Sequence, residues 1–168
     1  MIARTTFRNF TRTLYSRPSI CQVLQSRSYS NDVTINGTPT HENLRSAFAG
    51  EAMKVQRYRY FAIRADSEGQ VEIANLFRAA AKVAEDHSAG HLDFLLEVND
   101  PATGEVASDL DGMLDSASFG TKHEGDQMYN EFAQTARNDG FEDIAEWFEK
   151  LAGAQAKLSN RFNGAVLE

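Results

Sequence analysis

Residues 70–98 read QVEIANLFRAAAKVAEDHSAGHLDFLLEV, and this stretch decides the fold. Apolar residues recur at steps of three and four along it, which places them on one face of a helix. That face comprises Ile73, Phe77, Ala80, Ala84, His87, His91, Phe94 and Val98. Three more stripes of the same spacing begin at Leu44, Leu110 and Phe141. Four amphipathic helices without a recognisable strand predict an all-α antiparallel four-helix bundle.

Each stripe carries polar residues near its middle. Glu51 lies on the first, His87 and His91 on the second, Glu124 on the third and Gln155 on the fourth. If these faces are buried, an isolated carboxylate costs several kcal/mol unless it is compensated. Compensation by a metal ion and compensation by a hydrogen-bonded or ion-paired network both remain open. The two histidines, four residues apart, can chelate one ion or serve as hydrogen-bonded core groups.

The helix limits follow from turn and capping signals. We predict helices over residues 40–66, 70–98, 109–138 and 141–163. Thr40 is the expected N-cap of the first helix, and Gly140 the expected C-cap of the third. Short turns therefore join the helices in two hairpins. The longer loop over residues 99–108 could cross the bundle or turn back locally.

The two hairpins resemble each other in sequence. Residues 67–77, SEGQVEIANLF, match residues 138–148, NDGFEDIAEWF, in an acid–Gly turn followed by a similar apolar pattern. An internal duplication of one helical hairpin explains this similarity. Shared turn chemistry combined with shared amphipathicity is the alternative.

The first thirty residues differ sharply in composition from the rest. They contain no acid and five arginines: Arg4, Arg8, Arg12, Arg17 and Arg27. This composition predicts a mitochondrial transit peptide over residues 1–30 and a location in the matrix. A disordered basic tail that binds membranes or acidic partners is the alternative. Residues 31–38 are then a linker, and residues 39–168 the helical bundle.

Composition also excludes several classes of function. Beyond residue 30 the chain has 12 basic and 24 acidic residues, which argues against nucleic-acid binding. No apolar run approaches the ~18 residues that suggest a membrane-spanning helix. The one cysteine, Cys21, lies in the basic segment, so the remainder has no disulfide and no cysteine site. Because no nucleophile elbow or phosphate-binding glycine loop occurs, we assign no catalytic residue.

Several stretches together resemble the rubrerythrin family. They are residues 42–52 (ENLRSAFAGEA), 91–95 (HLDFL), 128–133 (MYNEFA) and 140–148 (GFEDIAEWF), the last leading to Arg161-Phe162. The resemblance spans residues 38 to about 164. It implies a ferritin-like bundle whose hairpins are joined by a crossover loop. It further implies a di-iron centre that acts on peroxide or oxygen.

The resemblance also implies a set of seven metal-ligand positions, of which this chain keeps three. The retained ligands are Glu51, His87 and Glu124, which in the family serve the same iron. The four positions that have lost their ligands carry Ala84, Thr121, Gln155 and Leu158. We therefore expect no di-iron centre and at most one metal ion, Fe, Mn or Zn, with His91 as a fourth candidate ligand. The family's rubredoxin-like iron part is also expected to be missing, because no cysteine is available for it.

Three functions follow as hypotheses. The first is a non-catalytic accessory or scaffold subunit of a mitochondrial assembly, with the chain in a protein complex or a homodimer. The second is a metal-binding oxidoreductase that acts on peroxide or oxygen through the residual single-metal site. The third is a haem or other cofactor binder that uses His87 or His91.

Overall fold

A computed structural model describes residues 34–165 of the 168-residue chain. The described part is helical and contains no strand. Its elements are α1 (Pro39–Ser67), α2 (Val71–Leu96), α3 (Leu110–His123), a π-helical segment (Glu124–Met128), α4 (Tyr129–Asn138) and α5 (Glu142–Ala165). The predicted all-α, ferritin-like helical class is confirmed. The predicted transit peptide lies outside the described residues.

The ends of the predicted helices agree with these elements to within two or three residues. Two predictions were wrong: the N-cap of the first helix and the continuity of the third. The N-cap of α1 is Thr38, whose hydroxyl accepts the His41 backbone N–H, and Pro39 occupies the first helical position. Proline fits there because its missing N–H has no partner to lose in the first turn. The third predicted helix is interrupted by the π segment.

Two hairpins account for the extensive packing. Hairpin 1 consists of α1 packed along α2, and hairpin 2 consists of α3, the π segment and α4 packed on α5. Their turns share one geometry, because Gly69 and Gly140 have φ of +72° and +85°. Glycine is favoured in this left-handed region since it has no Cβ to clash. Between the hairpins, any packing of helix on helix is slight in the described part of the chain.

The same ring contacts occur in both hairpins, 71 residues apart in sequence. In hairpin 1, Phe77 contacts Tyr58 and Phe61 at centroid distances of 6.1 and 5.4 Å. In hairpin 2, Phe148 contacts Tyr129 and Phe132 at 6.0 and 5.6 Å. The turn hydrogen bonds match as well: the N–H of Gln70 donates to Ala65 O, and that of Phe141 to Ala136 O. These equivalent contacts support the interpretation as a duplicated hairpin.

Small residues dominate the buried positions. The fully buried apolar side chains are mostly alanines that line the α1–α2 and α4–α5 contacts: Ala62, Ala65, Ala74, Ala81, Ala133, Ala136, Ala145 and Ala152. Leu95 is the largest apolar side chain that is fully buried. The larger apolar residues of the predicted stripes are therefore half-buried or exposed within one chain. No helix in residues 39–165 combines the length and hydropathy needed to cross a bilayer.

Candidate metal centre

The predicted ligands of hairpin 1 lie next to each other. Glu51 on α1 is 19% exposed, and its Oε2 is 3.9 Å from Nδ1 of His87 on α2. His87 itself is 59% exposed, so its expected burial does not occur within a single chain. His91, one turn later, is half-buried on the same helix.

A lysine that the sequence reasoning did not consider contacts the same carboxylate. The Nζ of Lys54 donates to Oε1 of Glu51 at 2.7 Å. This bond lowers the pKa of Glu51 below its ordinary value, and the carboxylate in turn raises the pKa of Lys54. Glu51 is thus held ionised beside an ammonium group. The i,i+3 spacing of the two residues is the signal that could have revealed this pair.

The predicted ligand of hairpin 2 is bound to an amide. Glu124 opens the π segment, and its Oε2 accepts a hydrogen bond from Nε2 of Gln155 on α5 at 2.6 Å. Sequence reasoning placed both residues on buried stripes, and the structure pairs them directly. The Gln155 amide donates a hydrogen bond but carries no charge, so it does not neutralise a Glu124 carboxylate.

The π segment approaches α5 closely at Gly125. A Cβ on Gly125 would lie 3.0 Å from the backbone nitrogen of Ala156 and 3.1 Å from Ala152 O. The Asn130 side-chain amide donates to two backbone carbonyl groups of this segment, Gly125 O at 2.9 Å and Asp126 O at 3.1 Å. The segment thus fixes Glu124 opposite Gln155.

The structure therefore assembles two pairs rather than one cluster. Glu51 is joined to His87, and Glu124 is joined to Gln155, each within its own hairpin. Within residues 34–165, no three His, Cys, Asp or Glu side chains are grouped closely enough to hold a metal ion. The one-metal set of Glu51, His87, Glu124 and His91 remains a prediction.

Known proteins resemble this chain along most of its described length. A model of the Rubrerythrin family matches residues 42–110. Rubrerythrin of Nitratidesulfovibrio vulgaris is 32% identical over 133 residues, which cover 77% of this chain and 70% of that protein. The chain belongs to the rubrerythrin family. Rubrerythrin of Clostridium perfringens is 34% identical over 137 residues, covering 77% of this chain and 70% of the relative. Rubrerythrin-1 of Clostridium acetobutylicum is 31% identical over 141 residues, covering 79% and 72%.

Within this rubrerythrin-family fold, the four side chains that were predicted to replace ligands each have their own local surroundings. Ala84 is buried. The Thr121 hydroxyl donates to the carbonyl of Ala117 at 2.8 Å, one turn back on α3. Gln155 is engaged by Glu124, and Leu158 is half-buried on α5. These four side chains offer one amide and one hydroxyl, both poor ligands for iron compared with carboxylate or imidazole.

Proposed function

We propose that this chain is a rubrerythrin-family protein that has lost the di-iron site and acts as a non-catalytic accessory or scaffold subunit of a mitochondrial assembly. The mitochondrial location rests on the acid-free, arginine-rich composition of residues 1–30. The loss of redox chemistry rests on the residues at the site. The observation that best supports this loss is the hydrogen bond that the Lys54 ammonium group donates to the Glu51 carboxylate.

The ammonium group matters because it takes the electrostatic role that a metal ion would have. A divalent ion bound by Glu51 would meet the positive charge of Lys54, whose Nζ is 2.7 Å from the same carboxylate. Binding would then require Lys54 to move away or to lose its proton, and its raised pKa makes proton loss unfavourable. The bridging positions of a dinuclear site, Ala84 and Gln155, supply no carboxylate. The residues present therefore do not fit a pair of iron ions.

Metal analysis tests the loss of the site directly. The purified chain is incubated with Fe(II), Mn(II) or Zn(II) in the absence of oxygen and is then desalted. Its metal content is measured by inductively coupled plasma mass spectrometry. We expect metal close to zero per chain and no consumption of added hydrogen peroxide. Two iron ions per chain would refute the proposal, because that stoichiometry requires the full dinuclear ligand set.

Native electrophoresis of mitochondria tests the accessory role. We expect the chain to migrate with an assembly much larger than its own 18.7 kDa. Recovery of the chain only as a small free species, or outside mitochondria, would refute that part of the proposal.

A residual single-metal oxidoreductase is the second candidate function. The 3.9 Å distance between Glu51 Oε2 and His87 Nδ1 favours it, because a carboxylate and an imidazole this close can converge on one ion. This candidate predicts one metal ion per chain, lost in Glu51→Ala and His87→Ala but kept in Glu72→Ala, an exposed acid on α2. The variant Lys54→Met separates the two candidate functions. If the ammonium group excludes metal, the variant should bind more metal than the wild-type chain; if the wild-type chain already binds one ion, metal occupancy should not rise.

A further inference from the structure

We propose that the outer side of α1 binds an amphipathic helix of another protein, a helix whose apolar stripe is flanked by carboxylates. The binding surface, which we call the α1 seam, consists of Met53, Gln56, Tyr60, Ile63 and Ser67. The inference names the kind of partner that the accessory subunit contacts, and it therefore rests on the proposed function.

The α1 seam has the spacing of a contact between two helices. Its five residues follow one another at steps of three, four, three and four, which are the a and d positions of a coiled coil. All five are exposed, and the apolar side chains of Met53, Tyr60 and Ile63 are 61%, 57% and 65% exposed. Among residues 34–165, α1 packs extensively only on α2. The α1 seam thus has the pattern of a covered surface without a helix that covers it.

The α1 seam lies on the side of α1 away from the candidate metal centre. A helix has about 3.6 residues per turn, so Tyr60, nine residues after Glu51, comes two and a half turns later and points in the opposite direction. Glu51 belongs to the stripe that is expected to face the interior of a bundle. The α1 seam therefore stays open even where another hairpin covers the Glu51 side.

The segment that carries the α1 seam is basic in an acidic protein. Residues 52–65 contain four basic residues and no acid, whereas the chain beyond residue 30 has 12 basic and 24 acidic residues. On the side of the seam next to α2 the charges are already paired, because Arg59 binds Glu85 and Asp66 binds Arg78. These charges stabilise hairpin 1 and are not available to a partner.

Two arginines on the other side of the α1 seam are available. Arg57 and Arg64 directly follow Gln56 and Ile63, which places them at the e positions that flank a coiled-coil seam. Arg57 lies 5.6 Å from the centre of the Phe61 ring and forms no ion pair among the described residues. Arg64 is 63% exposed, and its distance of 3.9 Å from Glu68 is too long for a hydrogen bond. Carboxylates beside the apolar stripe of a partner helix would pair with both guanidinium groups.

The types of residue in the α1 seam also suit a protein partner. Methionine, tyrosine and arginine are enriched in protein interfaces, whereas lysine, aspartate and glutamate are depleted there. An anionic membrane fits less well, because it would repel the acidic remainder of the chain and because only three apolar side chains could insert.

A second copy of this chain also fits less well. Docking through the same surface would place Arg57 and Arg64 of one copy close to the same arginines of the other. Residues 53–67 span about 22 Å, and a strip about 10 Å wide is far smaller than a stable dimer needs. A small contact of this kind suits one helix of a larger assembly.

A defined peptide tests the α1 seam. The probe is a fluorescently labelled peptide of three heptads, with leucine at a and d and glutamate at e and g, whose like charges oppose pairing with itself. Fluorescence anisotropy measures its binding to the purified full-length chain. We expect saturable binding that weakens about tenfold in Arg57→Glu/Arg64→Glu, and about tenfold when lysine replaces the glutamates of the peptide.

Lys150→Glu/Lys157→Glu is the matched control, because it reverses two exposed cations on α5. Its affinity should stay within about twofold of the wild type. If circular dichroism shows that the arginine variant loses helix, Arg57→Gln/Arg64→Gln replaces it, with an expected weakening of about threefold. No binding by the wild-type chain, or equal binding by the arginine variant, would overturn the inference. Equal binding would place the peptide elsewhere, for example on the basic residues 1–30.

Two further measurements judge the other occupants. The chains are sedimented with vesicles of phosphatidylcholine containing about one third phosphatidylserine, and their mass is measured by light scattering. We expect no sedimentation that depends on Arg57 and Arg64, and the same mass for the wild type and the arginine variant. Vesicle binding lost in that variant would assign the α1 seam to a membrane, and a lower mass of the variant would assign it to a second copy. Either result would overturn the inference.

Native electrophoresis of mitochondria separates this inference from the proposed function. We expect the wild-type chain in a large assembly and Arg57→Glu/Arg64→Glu as a small species. A variant that stays in the assembly would overturn the role of the α1 seam and leave the accessory role standing. A wild-type chain found in no assembly would refute the accessory role, and the peptide titration would still decide whether the α1 seam binds an acidic helix.

Discussion

Gly125 offers the most direct test of the close approach between the π segment and α5. A Cβ added there would meet the backbone nitrogen of Ala156 at 3.0 Å, Ala152 O at 3.1 Å and the Gln155 Cβ at 3.4 Å. Two of the three neighbours are backbone atoms, which cannot rotate away as a side-chain end can. Gly125→Ala must therefore separate the two segments by some tenths of an ångström and disturb the bond from Gln155 to Glu124.

The size of the effect follows from two opposing contributions. Overpacking by one methyl group costs about 1–3 kcal/mol. Replacing glycine by alanine within a helix returns about 0.5–1 kcal/mol of backbone entropy and propensity. The net expectation for Gly125→Ala is a loss of up to ~2.5 kcal/mol in the free energy of unfolding, centred near ~1 kcal/mol, which lowers Tm by roughly 4 °C for a domain of this size.

Gly153→Ala is the matched control, because the same substitution on α5 meets nothing within 4 Å. It should gain about 0.5–1 kcal/mol and raise Tm by a few degrees. Thermal unfolding followed by circular dichroism at the helix band measures both variants beside the wild type. Opposite signs are expected. A Gly125→Ala protein as stable as Gly153→Ala would refute the close approach and, with it, the packing argument for the position of Glu124.

Three further substitutions probe local features. Thr38→Ala removes the hydroxyl that accepts the His41 N–H and should cost about 0.5–2 kcal/mol in urea unfolding; an unchanged midpoint would contradict the cap. Asn130→Ala removes the side-chain amide that donates to two carbonyl groups of the π segment and should lower the free energy of unfolding by roughly 1 kcal/mol; an unchanged stability would contradict a structural role for this amide. The Arg137 guanidinium lowers the pKa of Glu149, so the pair stabilises the protein above the ordinary carboxyl pKa and ceases to do so as pH falls through the lowered value. Glu149→Gln should therefore reduce the difference in Tm between pH 7 and pH 3, and an identical difference would count against the pair.

The fold was largely predictable because local signals agree with one another. Apolar spacing identified all the helices, and the glycines at 69 and 140 marked the hairpin turns that the structure shows. The π segment was not predictable from spacing, since Thr121, Glu124 and Met128 also fit a regular helix. The segment lies against α5, which is a tertiary contact that spacing along one helix does not reveal. The cap at Thr38 was missed because Thr40 offers the same hydroxyl two residues later.

The sequence could predict which residues are candidate ligands, but it could not predict how these residues are arranged in space. Glu51 and His87 share hairpin 1, and the structure brings them to 3.9 Å of each other. Glu124 belongs to hairpin 2, and its distance from the other two depends on how hairpins associate. The Lys54 pair could have been found, because an acid and a base three residues apart commonly meet on a helix.

The structure separates what stabilises each hairpin from what forms the site. The ring contacts around Phe77 and Phe148 and the alanine-lined helix contacts lie within single hairpins. None of these contacts uses Glu51, His87 or Glu124, so the ligand positions can change without unfolding a hairpin. His87 is 59% exposed, and Leu158 is half-buried on α5. Substitutions at these two positions are therefore expected to leave the packing within each hairpin unchanged, which thermal unfolding of His87→Ala and Leu158→Ala would measure.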